Sequence, residues 1–145
     1  KELVDAMTAR MVNRPASIDT VVATNLHADI LSDLAAALAG SLGIAPTANL
    51  DPERRYPSMF EPIHGSAFDI MGLGLANPVG TFWSCVMLLE HLGQAEAAAT
   101  LMQAIESVTA DSALHTRDLG GTASTAQVTT AVCRLLANPV AGNAS

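Results

Sequence analysis

Two short segments carry residue types that could do chemistry. In Glu61-Pro62-Ile63-His64-Gly65-Ser66-Ala67-Phe68-Asp69, an imidazole, a hydroxyl and two carboxylates surround a glycine in one turn-rich stretch. Glycine lets backbone N–H groups approach a ligand closely, so the composition suits phosphate and ribose. Asp69 could accept hydrogen bonds from both hydroxyls of an adenosine ribose and would repel a 2′-phosphate, which favours NAD over NADP. An ordinary turn with a capping aspartate is the competing reading. In Asn25–Asp33, the carboxylates Asp29 and Asp33 stand four residues apart, and so on one helix face. Like charges at that spacing repel by about 0.2–0.5 kcal/mol. Mg²⁺ or Mn²⁺ would neutralise them, and hard oxygen ligands suit both ions. A solvated acidic face near a helix N-terminus would satisfy the same two residues. A nucleotide segment and a metal segment together suggest a metal-assisted dehydrogenase.

These segments need elements to hold them. Leu3, Val4, Met7, Met11 and Val12 recur at helical spacing, which predicts a helix ending near Asn13-Arg14-Pro15. Ile18–Ala23 is compact and β-branched and reads as a buried strand. Thr24 or Asn25 can cap a second helix that runs to about Ala39 and stops at Gly40. Gly43–Leu50 and Ser58–Phe60 read as short strands around the polar loop Asp51–Pro57. His64–Asn77 is a glycine-rich loop, and Pro78 opens a helix to about His91. Its portion Gly72-Leu73-Gly74-Leu75-Ala76-Asn77 imitates a dinucleotide fingerprint but lacks the third glycine and a leading strand. Gln94–Thr109 and Ser124–Ala137 are further helices, Asp111–Gly121 is loop, and the tail Asn138–Ser145 frays. The alternation is α/β with high helix content. It holds too few strands for a doubly wound sheet, which suggests a piece of something larger.

Composition narrows the function classes. The 145 residues are half apolar but only 3% aromatic, so small aliphatic side chains must build the interior. A net charge of −7, with Arg54-Arg55 the sole adjacent basic pair, argues against nucleic acid. Cys85 and Cys133 lack metal-type spacing and read as buried reduced thiols. His27, His91 and His115 have no ligand partner at useful spacing and read as structural, and Trp83 and Met87 as core. Ser32, Ser41 and Ser84 have no nucleophile-elbow context. The N-terminal residues show no cleavable leader pattern, and the apolar run Val79–Leu89 is too short to cross a membrane. A soluble, cytoplasmic protein without nucleic-acid or membrane partners is expected.

The ordered motifs together resemble the C-terminal part of the β-decarboxylating dehydrogenases, the family of isocitrate, 3-isopropylmalate, tartrate and D-malate dehydrogenases. They run from Val4-Asp5-Ala6-Met7 through Asp29-Ile30-Leu31-Ser32-Asp33, Gly40-Ser41-Leu42-Gly43 and Phe60–Ala67. Ala76-Asn77-Pro78, Leu88-Leu89-Glu90-His91-Leu92 and Asp118-Leu119-Gly120-Gly121-Thr122 follow in order. Asp51–Ser58 and Thr81-Phe82-Trp83 look most like the tartrate and D-malate branch.

The resemblance implies a helix-rich C-terminal portion of the isopropylmalate dehydrogenase-like fold. Residues 1–40 would end the central, dimerising domain, and residues 41–145 would be the return segment of the NAD-binding domain. Asp29 and Asp33 would hold Mg²⁺ or Mn²⁺, with Asp5 supplied by the second subunit of a homodimer. His64, Gly65, Ser66, Ala67, Asp69 and Asn77 would bind NAD, with Asn77 near the adenine and Glu61 near the nicotinamide end. The implied reaction oxidises a small 2-hydroxy dicarboxylic acid and releases CO₂, with the metal as Lewis acid. The family's substrate arginines and its catalytic Tyr and Lys belong N-terminal to this segment, so the chain alone is expected to be inactive. A non-catalytic NAD-binding or dimerisation module, or a 3-isopropylmalate dehydrogenase relative, are the alternatives. His27, Phe68 and Leu73 depart from the residues common in the family.

Overall fold

A computed structural model describes residues 1–138, so the tail reading beyond Asn138 lies outside the described residues. The chain divides into two compact units, Lys1–Leu42 and a larger one from Gly43 onward.

In the first unit, helix α1 (Val4–Asn13) packs against helix α2 (Asn25–Leu38). Arg10, in the last turn of α1, organises the connection. Its guanidinium donates to Ser17 Oγ (3.0 Å), to the Ser17 carbonyl (2.5 Å) and to Glu2 Oε2 (3.1 Å). That fixes the short 3₁₀ turn Pro15–Ser17 against the helix. The predicted strand at Ile18–Ala23 does not form: the segment has no regular structure, and Val22 is 96% exposed. A β-branched run becomes a strand only when a neighbour supplies the ladder hydrogen bonds. No described strand pairs with it. Helix α2 ends one residue earlier than expected, ahead of Gly40, and Thr24 holds the N-cap position without a side-chain bond.

The second unit begins with an antiparallel ribbon of β1 (Pro46–Asn49) and β2 (Met59–Pro62). Its register pairs Thr47 with Glu61 and Ala48 with Phe60. Both prolines, Pro46 and Pro62, sit at strand ends, where a missing donor is tolerated. The strand predicted over Gly43–Leu50 is shortened because Leu42–Ile44 turns as a 3₁₀ element. Helix α3 (Val79–His91) lies on the ribbon, α4 (Ala95–Ala110) packs on α3, and α5 (Thr125–Ala137) packs on α4. The start of α5 is a full capping box, with Ser124 and Gln127 satisfying each other's backbone N–H groups. Val86, Val108, Val128 and Val132 are the deepest aliphatic side chains, worth about 1.5–3 kcal/mol each when fully buried. Trp83, Phe82 and Ile44 close the rim of this core.

Two thiols depart from expectation. Cys85 and Cys133 are free but exposed, not buried. Each adjoins a buried valine, Val86 or Val132, on α3 or α5, and the next helical position turns it about 100° away from the core. No helix among the described residues is long and apolar enough to cross a membrane.

Gly80, in the first turn of α3, brings that helix into close contact with the ribbon and the turn before it. A Cβ there would lie 2.9 Å from the Gly43 carbonyl oxygen and 3.2 Å from Pro62 Cβ. Gly80→Ala is therefore expected to destabilise the chain by about 1–3 kcal/mol, because overpacking outweighs the propensity gained by removing a helical glycine. A urea midpoint that rises in the variant, with an unchanged slope, would show that the contact is not limiting.

Candidate functional site

The candidate cofactor segment leaves β2 and returns at α3. Glu61 lies on the exposed side of β2, and the Ile63 N–H still donates to the Ala45 carbonyl at 3.2 Å. The chain then turns through His64–Ser66 into a single 3₁₀ turn, Phe68–Ile70, that carries Asp69. Gly65 and Ala67 both have positive φ, +67° and +42°, while Ser66 between them does not. Alternation of right- and left-handed residues is the backbone pattern in which successive N–H groups can gather into an anion-binding concavity. Among the described residues, the N–H groups of Gly65, Ser66 and Ala67 have no hydrogen-bond acceptor in the chain. Ala67 is the more telling of the two, since a left-handed alanine costs about 1–2 kcal/mol and persists only where its surroundings demand it.

The side chains of this segment face different ways. Ser66 and Asp69 are exposed, and His64 is half-buried. His64 Nδ1 lies 2.8 Å from the Gly65 carbonyl oxygen, which only accepts. Nδ1 therefore carries the hydrogen, and Nε2 is left as the outward nitrogen. Asn77 behaves otherwise. Its side chain is buried and committed within the chain: Oδ1 accepts from the Val79 N–H at 3.0 Å, and Nδ2 donates to Asp118 Oδ2 at 3.0 Å.

The candidate metal residues lie in the first unit. Asp29 and Asp33 are exposed on α2, one turn apart, and Asp5 is exposed on α1. Among the described residues, no three His, Cys, Asp or Glu side chains converge as a metal site, so Asp5 does not join the other two within one chain. Two solvent-accessible carboxylates on one face nonetheless have the donor type that Mg²⁺ or Mn²⁺ requires.

Two features escaped the reading of motifs. Asp118, itself held by Thr116, accepts from Asn77 across 41 positions of the chain; the Asp-Leu-Gly-Gly-Thr motif hinted at Asp118, and nothing hinted at Thr116. The loop after β1 is built around Asp51, whose carboxylate accepts from the N–H groups of Tyr56 (2.7 Å), Arg55 (2.7 Å) and Glu53 (3.2 Å). Arg54, itself left-handed at φ +53°, reaches out of that loop to donate to the His91 carbonyl at 2.7 Å. This caps the C-terminus of α3, where a cation is favoured. The His91 ring rests against Phe60 with centroids 5.5 Å apart, and His115 Nε2 bonds the Thr109 carbonyl, so both imidazoles are structural.

The family model described as isocitrate/isopropylmalate dehydrogenase matches residues 1–132. The chain belongs to the isocitrate/isopropylmalate dehydrogenase family. Within that family it is 68% identical over 137 residues to a probable tartrate dehydrogenase/decarboxylase of Agrobacterium vitis, covering 94% of this chain and 38% of that protein. It is 47% identical over 141 residues to the decarboxylating D-malate dehydrogenase of Escherichia coli, covering 94% of this chain and 39% of that protein. The crystal structure of an isocitrate dehydrogenase from Methylococcus capsulatus superposes with a TM-score of 0.87 at 39% identity, over 93% of this chain and 40% of that one. The helix-rich fold is thus that of isocitrate/isopropylmalate dehydrogenase-like structures. The chain spans about 38% of the length of the curated relatives it matches.

Asp51 links the order of the loop after β1 to pH. The Tyr56 N–H is the largest influence on its ionised form; with the N–H donors of Arg55 and Glu53 it outweighs desolvation and holds the pKa below the usual 3.8. A depressed folded pKa means that the stabilisation is complete above the ordinary aspartate range and is lost as pH falls through the lowered value. Amide protection at Arg55 and Tyr56, measured as exchange relative to the intrinsic rate at each pH, is expected to fall only in that acid window. In Asp51→Asn it should be lower at neutral pH and lose that pH step. Equal exchange in both proteins at neutral pH would remove Asp51 as the organiser of the loop.

Proposed function

We propose that this chain is the C-terminal portion of an NAD- and Mg²⁺- or Mn²⁺-dependent 2-hydroxy acid dehydrogenase of the tartrate and D-malate type, acting by oxidation with decarboxylation. The observation that carries the cofactor half of this reading is the unsatisfied N–H run Gly65–Ala67 beside the exposed carboxylate of Asp69. The substrate class rests on the similarity to a probable tartrate dehydrogenase/decarboxylase and to a decarboxylating D-malate dehydrogenase.

In this reading the donors at Gly65–Ala67 face the cofactor's pyrophosphate, and Asp69 accepts from the ribose hydroxyls. Glu61 stands at the nicotinamide end and His64 offers Nε2 to the cofactor. Residues 1–40 end the central, dimerising domain, and residues 41–145 are the return segment of the NAD-binding domain. Asp29 and Asp33 hold the divalent ion with Asp5 from the second subunit of a homodimer, in a cytoplasmic enzyme. Bound there, the ion supplies Lewis-acid polarisation of the hydroxy acid. With cofactor and ion bound, the hydroxy acid would give hydride to the nicotinamide and its hydroxyl proton to solvent; the carboxylate β to the new carbonyl would then leave as CO₂, and the enolate left behind would take up one proton from solvent. By itself, the 145-residue chain binds and assembles without turning over.

Calorimetric titration of NAD⁺ into the chain with Mn²⁺ present tests the cofactor site. Saturable binding is expected, weakened about 10- to 100-fold in Asp69→Ala, as the loss of charge-assisted hydrogen bonds implies. NADP⁺ should bind more weakly than NAD⁺ to the wild type. A folded chain that binds no NAD⁺ sinks the cofactor reading. A coupled oxidation assay with D-malate or tartrate and Mn²⁺ should show no turnover, and turnover at ordinary enzyme rates would contradict the assignment of catalytic groups elsewhere.

A further inference from the structure

A polar cluster in the second unit ties the C-terminal end of the candidate cofactor loop, at the buried Asn77, to the turn that carries the buried Thr116 and the exposed Asp118. Thr116 is 1% exposed and Asn77 is 7% exposed. Thr116 Oγ1 donates to Asp118 Oδ1 at 2.5 Å, and Asn77 Nδ2 donates to Asp118 Oδ2 at 3.0 Å. Both carboxylate oxygens are therefore used. On its other side, Asn77 Oδ1 receives the Val79 N–H, the first free donor of α3. Two further bonds come from the same neighbourhood. Thr125 Oγ1 donates to the Ala76 carbonyl at 2.5 Å, and the Thr125 N–H donates to the Gly74 carbonyl at 2.9 Å.

This arrangement allows the Asn77 amide one orientation. A flip would set its NH₂ against the Val79 N–H and its carbonyl against the Asp118 carboxylate, leaving the buried Val79 N–H and the buried Asn77 amide without partners. The end of the loop is thus locked in direction as well as in place. We infer that Asp118 is a positioning residue for cofactor binding: it acts through the Asn77 side chain to fix the loop end at α3, and the Asn77 side chain serves that lock without touching the ligand. The inference rests on the proposed NAD reading of the loop.

The test exploits the polarity of the lock. Asn77→Asp sets a carboxylate against the Asp118 carboxylate, whereas Asn77→Asp with Asp118→Asn reverses the bond and keeps an acceptor for both Val79 and Thr116. NAD⁺ affinity is expected to fall about tenfold or more in the single variant and to return to within about threefold in the double variant. Amide exchange over residues 74–79 should accelerate and recover in parallel. A double variant as weak as Asn77→Asp would overturn the inference, because the Asn77 amide would then be needed in its own right. An unaffected single variant would overturn it too. Should Asn77→Asp fail to fold, Thr116→Val carries the test, with about two- to fivefold weaker binding expected and unchanged affinity and exchange counting against the lock. If the wild type binds no NAD⁺, the cofactor reading fails separately, and an exchange rate that does not recover in the double variant still refutes the lock.

Discussion

Helix α3 is seated tightly on the ribbon at Gly80, and the candidate cofactor segment depends on that seating. At Gly80 the helix approaches the carbonyls of Gly43 and Ala45 too closely for any Cβ to fit without displacement. One turn earlier, the Asn77 side chain closes the open N–H of Val79. At the far end, Arg54 satisfies the His91 carbonyl. The helix is therefore pinned at both ends as well as along its packed face. Because β2 and α3 are held against each other, the segment between Ile63 and Pro78 has fixed ends. Irregular segments longer than about 12–15 residues are uncommon in compact domains unless they serve a function. This one stays ordered through short local turns, with Ile70, Met71 and Leu73 each bonding three residues back.

What was readable in the sequence follows the range of the interactions involved. The helices were legible because their cause is local: apolar residues at helical spacing, Ser124 and Gln127 as a capping box, Pro78 at a start and Gly40 at a stop. The fold class followed from ordered motifs, and matching structures bear it out. Ile18–Ala23 was misread because strand formation is not local. Its β-branching expresses a preference that only a paired neighbour can realise. The thiols were misread for a related reason, since composition says that cysteine is often buried but not which side of a helix faces the core. The Asp118–Asn77 bond spans 41 residues and joins two polar side chains that each look like ordinary loop residues. No pattern of spacing announces such a pair. The motifs of the candidate site were visible as residue types, whereas the left-handed Ala67 and the unpaired donors beside it needed a backbone.

The two units differ in self-sufficiency. From Gly43 onward, buried valines, alanines, Leu101 and Ile105 form one continuous core. In residues 1–42, Leu31 and Ala36 are the only buried apolar side chains, while Leu3, Val12, Leu26, Ile30 and Leu38 remain about half exposed or more. Apolar surface of that extent is unfavourable in water by roughly 25 cal/mol for each Å² left uncovered. The paired carboxylates Asp29 and Asp33 add like-charge repulsion to the same helix. Both strains would be relieved in a larger assembly, one by burial and the other by a cation. That fits a chain matching just over a third of its relatives' length.

Charge placement bears on the proposed cofactor. No Lys or Arg occurs between Arg55 and Arg117, a span that includes β2, the whole candidate loop, α3 and α4. Of the nearest cations, Arg54 is engaged with the His91 carbonyl and Arg55 pairs with Glu53. Any anion held at Gly65–Ala67 would thus be neutralised, as far as these residues are concerned, by backbone N–H groups and not by side-chain charge. Such donors suit a pyrophosphate, whose charge is spread over several oxygens that can each accept a fixed N–H. They suit a 2′-phosphate poorly, because that group carries more charge per site and would meet Asp69 with no nearby guanidinium in this stretch. Under the proposed reading, the same scarcity of cations that argues against nucleic acid joins the Asp69 carboxylate in favouring the less highly charged of the two nicotinamide dinucleotides.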